Sequence, residues 1–91
     1  MALRTKILAR VFKVIGNERR MGIIKLLSQK ESSVIDISSK INLSFKSVSK
    51  HLQRLEHEGV VEKEQRGKFM FYRLSKEFKN AGVLKQIINS K

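Results

Sequence analysis

Ninety-one residues leave room for one small domain, which buries only about 60–65% of the surface its unfolded chain exposes and is marginal alone. With 41% hydrophobic and 31% charged residues and a mean hydropathy of -0.30, the composition is globular and argues against disorder. Twenty Lys and Arg against eight Asp and Glu give a net charge of +12, an excess that predicts a polyanionic partner, either nucleic acid or an anionic membrane surface.

Residues 1–17 carry Arg4, Lys6, Arg10 and Lys13 and no acid. A mitochondrial-type presequence is one reading of that pattern. Charges interrupt the stretch every few residues, however, so no secretory apolar core forms. Leu3, Ile7, Leu8, Val11, Val14 and Ile15 recur at helical spacing instead, predicting an amphipathic helix over about 3–15 that stops at Gly16-Asn17. A second helix is expected from about Glu18 to Gln29, with Asn17 as its N-cap, Glu18 in its first turn and Ile23, Ile24 and Leu27 inward. Gly22 in its interior costs about 1 kcal/mol relative to Ala, which predicts tight packing at that point. Ser32-Ser33-Val34 reads as a short strand-like entry to a third helix over about 35–41, and Asn42 suits a left-handed cap. Ser44 offers the N-cap of a fourth helix reaching about His57 and closed by Gly59. Residues 60–65 and 69–74, separated by Arg66-Gly67-Lys68, read as a hairpin. Ser75 caps a last helix over about 76–89, weakened at Gly82. The order is helix, helix, short strand, helix, helix, hairpin, helix: a mainly α chain with one small β-hairpin.

The third and fourth helices are joined by Asn42-Leu43-Ser44, a connection of helix-turn-helix length. On a wheel at 100° per residue, Val48, Leu52 and Leu55 fall within an arc of about 60° and form the buried stripe. Lys46, Lys50, Gln53, Arg54 and His57 take the opposite side, with Ser47 and Ser49 flanking it. A capped helix start bearing Lys, Ser and Gln outward suits a DNA major groove, since it brings phosphate cations and base-edge hydrogen-bonding groups together. Taken as an isolated helix, the same residues are ordinary solvated charges; the neighbouring helix, turn and hairpin favour the groove. Gln65, Arg66, Gly67 and Lys68 form a cationic hairpin tip able to follow a phosphate backbone or enter a minor groove, while Arg73, further back, is expected to pack or pair. The candidate DNA-contacting set is therefore Ser44, Lys46, Ser47, Ser49, Lys50, Gln53, Arg54, Arg66, Gly67 and Lys68.

The stretch from Val11 to Leu74 resembles the ArsR-type winged-helix transcriptional regulators. The similarity rests on the run from Ile15 to Leu27 (IGNERRMGIIKLL), the run from Leu43 to Leu55 (LSFKSVSKHLQRL), Glu58-Gly59-Val60-Val61, and Phe71-Tyr72-Arg73-Leu74 after the hairpin. It implies a winged helix-turn-helix fold and a homodimer that binds an inverted-repeat operator in double-stranded DNA and blocks transcription. In that fold the helix matching 44–57 enters the major groove and the hairpin is the wing. Phe45 departs from the usually polar residue at its place; its position near the core stripe favours burial over contact with a thymine methyl. His51 either packs at the helix boundary or, as the resemblance implies, bonds to DNA.

The metal chemistry of many such regulators does not carry over. Their thiolate pair would fall at about Ser33 and Ile35, where a hydroxyl and an alkyl group cannot replace soft sulfur donors. Their other common site, on the last helix, finds no His and only Glu77 among residues 76–91. His51 and His57 lie on different faces of one helix and cannot share a metal. No phosphate loop or catalytic constellation is present, so neither metal, cofactor nor enzymatic activity is expected. The absence of Cys excludes disulfides and suits a cytoplasmic location. The longest apolar run, Phe69-Met70-Phe71-Tyr72, is far too short to span a membrane.

Both terminal helices carry apolar residues on more than one face. Leu3, Ile7, Val11 and Val14 at one end, with Leu84, Ile87 and Ile88 at the other, are expected to pair two copies across a two-fold axis; the alternative is that they close the monomer's own core. Three function classes remain: a sequence-specific repressor, a nonspecific or architectural DNA binder, and an interaction module or membrane-surface binder. Whether a small-molecule effector acts is not legible in the chain.

Overall fold

A computed structural model of the chain describes residues 12–80, together with Gly82 and Lys85. Residues 12–15 are helical and end at Gly16, whose N–H donates to the Phe12 carbonyl. Four further helices follow: α1 (Glu18–Gln29), α2 (Val34–Ile41), α3 (Phe45–His57) and α4 (Lys76–Asn80). Strands β1 (Ser32–Ser33), β2 (Val61–Arg66) and β3 (Phe69–Leu74) form one antiparallel sheet in the order β1-β3-β2.

Local chemistry sets the boundaries. The Asn17 side chain accepts from the Arg19 and Arg20 N–H groups, satisfying two of the donors that a helix start leaves open. Ser33, the second residue of β1, caps α2 by accepting from the Asp36 N–H, so Val34 is the first residue of the helix rather than the last of the strand. Helix α3 closes in a Schellman arrangement: Gly59 (φ 78°) donates to Glu56, and Val60 donates to Leu55. Ser75 joins sheet to helix, its hydroxyl donating to the Gly59 carbonyl and accepting the Phe78 N–H.

The core is a single cluster drawn from every layer: Val14 and Ile15 from the first turn, Ile23, Ile24 and Leu27 from α1, Ile37 from α2, Val48, Leu52 and Leu55 from α3, and Val61, Tyr72, Leu74 and Phe78 from the hairpin side. Strand β2 is an edge strand with only Val61 buried. Its charged outer residues blunt the tendency of an open strand to pair with another chain.

Three expectations change. Nothing lies within 4 Å of a Cβ built on Gly22, so that glycine serves no close packing. The two-residue turn is Gly67-Lys68, and Arg66 belongs to β2, paired in register with Phe69. Gly82 lies at φ 81°, outside helical geometry, so the last helix is not continuous through that position.

Candidate nucleic-acid interface

The turn between α2 and α3 is held by short-range bonds. Asn42 takes the left-handed conformation (φ 57°, ψ 48°) that lets the chain leave α2, and its N–H donates to the Ser38 carbonyl. Leu43 donates to the same carbonyl at 3.2 Å, and the Ser38 hydroxyl donates back to the Leu43 carbonyl. Ser44 then accepts the Ser47 N–H at 3.1 Å and starts α3. A two-turn helix and a longer one are thereby set at a fixed angle.

Helix α3 divides as the wheel predicts. Val48, Leu52 and Leu55 are fully buried, whereas Lys46, Lys50, Gln53, Arg54 and His57 are exposed and Ser47, Ser49 and His51 half-buried. Among the described residues no acid pairs with Lys46, Lys50 or Arg54. This face is an uncompensated cationic surface with hydroxyl and amide groups set between the charges. Phe45 corrects the expectation: its side chain is 57% exposed, because the first residue of the helix extends past the end of the core.

His51 has a partner that sequence reasoning missed. The Arg20 Nε donates to His51 Nδ1 at 3.4 Å, while the Arg20 guanidinium also donates to the Val14 carbonyl at 2.7 Å. Arg20 thus ties the first helical turn, α1 and α3 together. With Nδ1 accepting, the neutral ring carries its proton on Nε2. Burial first, then the charges of Arg20 and Arg19, hold the His51 pKa below its ordinary value. The clue in the sequence is only that Arg20 falls three residues after a cap; its contact lies 31 residues away.

The wing differs from a simple cationic tip. Arg66 is bound to Glu31 at 2.7 Å and to Glu64 at 2.9 Å, and its guanidinium stacks 4.8 Å from the Phe71 ring centroid. Arg73 pairs with Glu62 and Glu64, as its position behind the tip predicts. Lys63 pairs with Glu56 at 3.4 Å. The hydrogen bond from Arg66 holds the Glu31 carboxyl below its usual pKa; at Glu64, Arg66 acts first and Arg73 second. Lys68, exposed beside Gly67, is the wing cation without an acidic partner among the described residues. Lys68 and α3, rather than Arg66, supply the free charge.

Of the residues expected at a dimer interface, Val14 is 1% exposed and belongs to the monomer's own core. Leu3, Ile7, Val11, Leu84, Ile87 and Ile88 lie outside the described residues.

The family described as "Bacterial regulatory protein, arsR family" matches residues 17–63, from the cap of α1 through α3 into β2. The chain belongs to the arsR family. The transcriptional activator HlyU of Vibrio cholerae is 37% identical over 65 residues, which span 71% of this chain and 60% of HlyU. This chain therefore corresponds to less than two thirds of that relative's length. A solved HlyU structure superposes with a TM-score of 0.86, covering 96% of this chain and 94% of that one at 31% identity. The transcriptional repressor SdpR of Bacillus subtilis is 34% identical across 87% of this chain and 82% of its own. A homodimeric winged helix-turn-helix DNA-binding domain from Mycobacterium bovis, a possible ArsR-family regulator, has a TM-score of 0.82 at 32% identity, over 96% of this chain and 82% of that one. HlyU and SdpR are transcriptional regulators, not enzymes.

Of the two residues expected near the family's thiolate positions, Ser33 caps α2 with its hydroxyl and Ile35 is an exposed alkyl group. Neither is a soft donor. Among the described residues no three His, Cys, Asp or Glu side chains stand close enough to hold a metal ion, and no helix is long and apolar enough to cross a membrane.

Proposed function

We propose that this chain is a sequence-specific DNA-binding transcriptional regulator that works as a homodimer on an inverted repeat and represses by occupying its operator. The observation that carries the reading is the exposed face of α3. Free lysines and an arginine alternate there with serine and glutamine, on a helix whose opposite stripe is wholly buried. In the proposed complex Lys46, Lys50 and Arg54 supply charge. Ser44, Ser47, Ser49 and Gln53 offer hydrogen bonds to base edges or phosphates, and the neutral His51 offers its Nε2 proton. Lys68 and the Gly67 backbone follow the phosphate chain from the wing, and Arg66, neutralised by two acids, holds the wing in place.

The homodimeric state of the M. bovis domain supports a two-fold assembly. Leu3, Ile7, Val11, Leu84, Ile87 and Ile88 are the proposed contact residues, and the half-exposed Phe12 is a further apolar side chain open to a partner. Two heads joined this way address half-sites about 34–36 Å apart. Sedimentation equilibrium at micromolar concentration is expected to give twice the 10.5 kDa chain mass; a monomer alone opposes the dimer.

Selection of bound fragments from random duplex DNA tests the whole reading. A palindromic motif is expected, with Lys50→Ala or Ser47→Ala altering preference at particular base pairs by about 1–3 kcal/mol. Recovery of unselected sequence, together with full competition by unrelated DNA, assigns the chain to nonspecific binding instead.

A further inference from the structure

Among the described residues four large apolar side chains are exposed, and three of them, Ile35, Phe45 and Phe69, line one cleft. The cleft, of about 190 Å³, lies between the starts of α2 and α3 and the wing, with Met70 at its wall and Lys68 and Gln65 at its wing side. Single exposed apolar residues are ordinary, but an aromatic at the leading end of a cationic helix, facing a second aromatic, needs a partner. That partner must tolerate the uncompensated charge of Lys46 and Lys68, which disfavours a second copy of this +12 chain. Duplex DNA fits both demands, since its major groove is anionic and carries apolar knobs, the thymine C5-methyl groups.

We propose that Phe45 is a specificity-determining residue that packs on a thymine methyl and makes the protein prefer thymine at one position of each half-site. Phe45 lies one helical turn before Ser49 on the same face of α3, and the N-terminal end of a recognition helix is the part that reaches base edges. Its exposure, 57%, leaves the ring free to make the contact. The buried Val34 and half-buried Met70 back the cleft, keeping that edge of the reading surface apolar where the rest of α3 is polar. The inference rests on the DNA-binding reading above and adds to it a base and a chemical group.

The test uses the full chain and the duplex recovered by selection, with each thymine replaced in turn by deoxyuridine, which removes the methyl and nothing else. Binding of wild type is expected to weaken about fourfold at one thymine per half-site, the value of one buried methyl group. Phe45→Ala and Phe45→Gln are expected to bind the thymine and uracil duplexes equally while still rejecting random DNA. Circular dichroism checks that both variants fold, and the wild-type comparison alone decides the matter if one does not. A wild-type protein that selects its operator yet ignores every thymine-to-uracil change overturns the proposal and leaves the regulator reading intact. So does a selected motif without thymine, or a Phe45→Ala protein with undiminished thymine preference. Loss of all sequence selectivity in wild type overturns both.

Discussion

At the residue scale, His51 shows how burial, aided by the Arg20 charge on a neighbouring helix, sets the chemistry of a side chain. Its folded pKa is depressed, so the folded state favours the neutral ring. Above about pH 6.5 both folded and unfolded chains are neutral there and the contribution to stability is complete. As pH falls from that value through the folded pKa, the unfolded chain takes up its proton first and stability is lost. Replacing His51 with Gln is therefore expected to flatten the decline in thermal midpoint between about pH 7 and pH 5, measured at fixed protein concentration. An unchanged slope would show that other groups govern it. Gly22 makes the opposite kind of point. It is a helical residue with empty space where a Cβ would stand, so Gly22→Ala is expected to stabilise by about 1 kcal/mol and raise the midpoint by about 4–8 °C.

Elements are held by caps and ion pairs of unequal consequence. Ser44 is exposed and makes one capping bond to Ser47, so Ser44→Ala costs about 0.5–2 kcal/mol through the start of α3, read as a lower urea midpoint. On the wing, Lys68 and Arg66 are both cationic but have different predicted effects. Lys68→Ala is expected to lower the magnitude of the logarithmic salt slope of DNA binding by about one and leave base preference unchanged. Arg66→Ala leaves Glu31 without its partner and Glu64 with Arg73 alone, adding repulsion toward phosphate, and is expected to weaken binding to all sequences more than Lys68→Ala does at low salt. Glu64→Gln works the other way, tightening binding to operator and random DNA alike. Anisotropy titrations across a salt series separate the three, and equal effects at Arg66 and Lys68 would argue that the ion pairs open on binding.

Over the whole molecule, +12 on 91 residues sets both solubility and steering. The charge is unevenly spent: the acids concentrate on the wing and beside it, at Glu31, Glu56, Glu62 and Glu64, where they neutralise Arg66, Arg73 and Lys63. The outer face of α3 keeps its cations bare. Affinity for any duplex is accordingly expected to fall steeply with salt, while the ratio of operator to random binding, carried by base contacts, changes far less. A selectivity ratio that collapses along with affinity would place the protein among nonspecific binders.

The composition, the helix periodicities, the caps at Asn17 and Ser44, the left-handed Asn42 and the two sides of α3 were legible in the amino-acid order alone. Each is decided within about one helical turn, by backbone preference, a side chain three residues from its partner, or the spacing of apolar groups. The bareness of Phe45, the Arg20–His51 bond, the pairing of Arg66 with Glu31 and the open space at Gly22 were not. These depend on which residues from distant parts of the chain come within a few ångströms of one another, and only packing the helices against the sheet determines that.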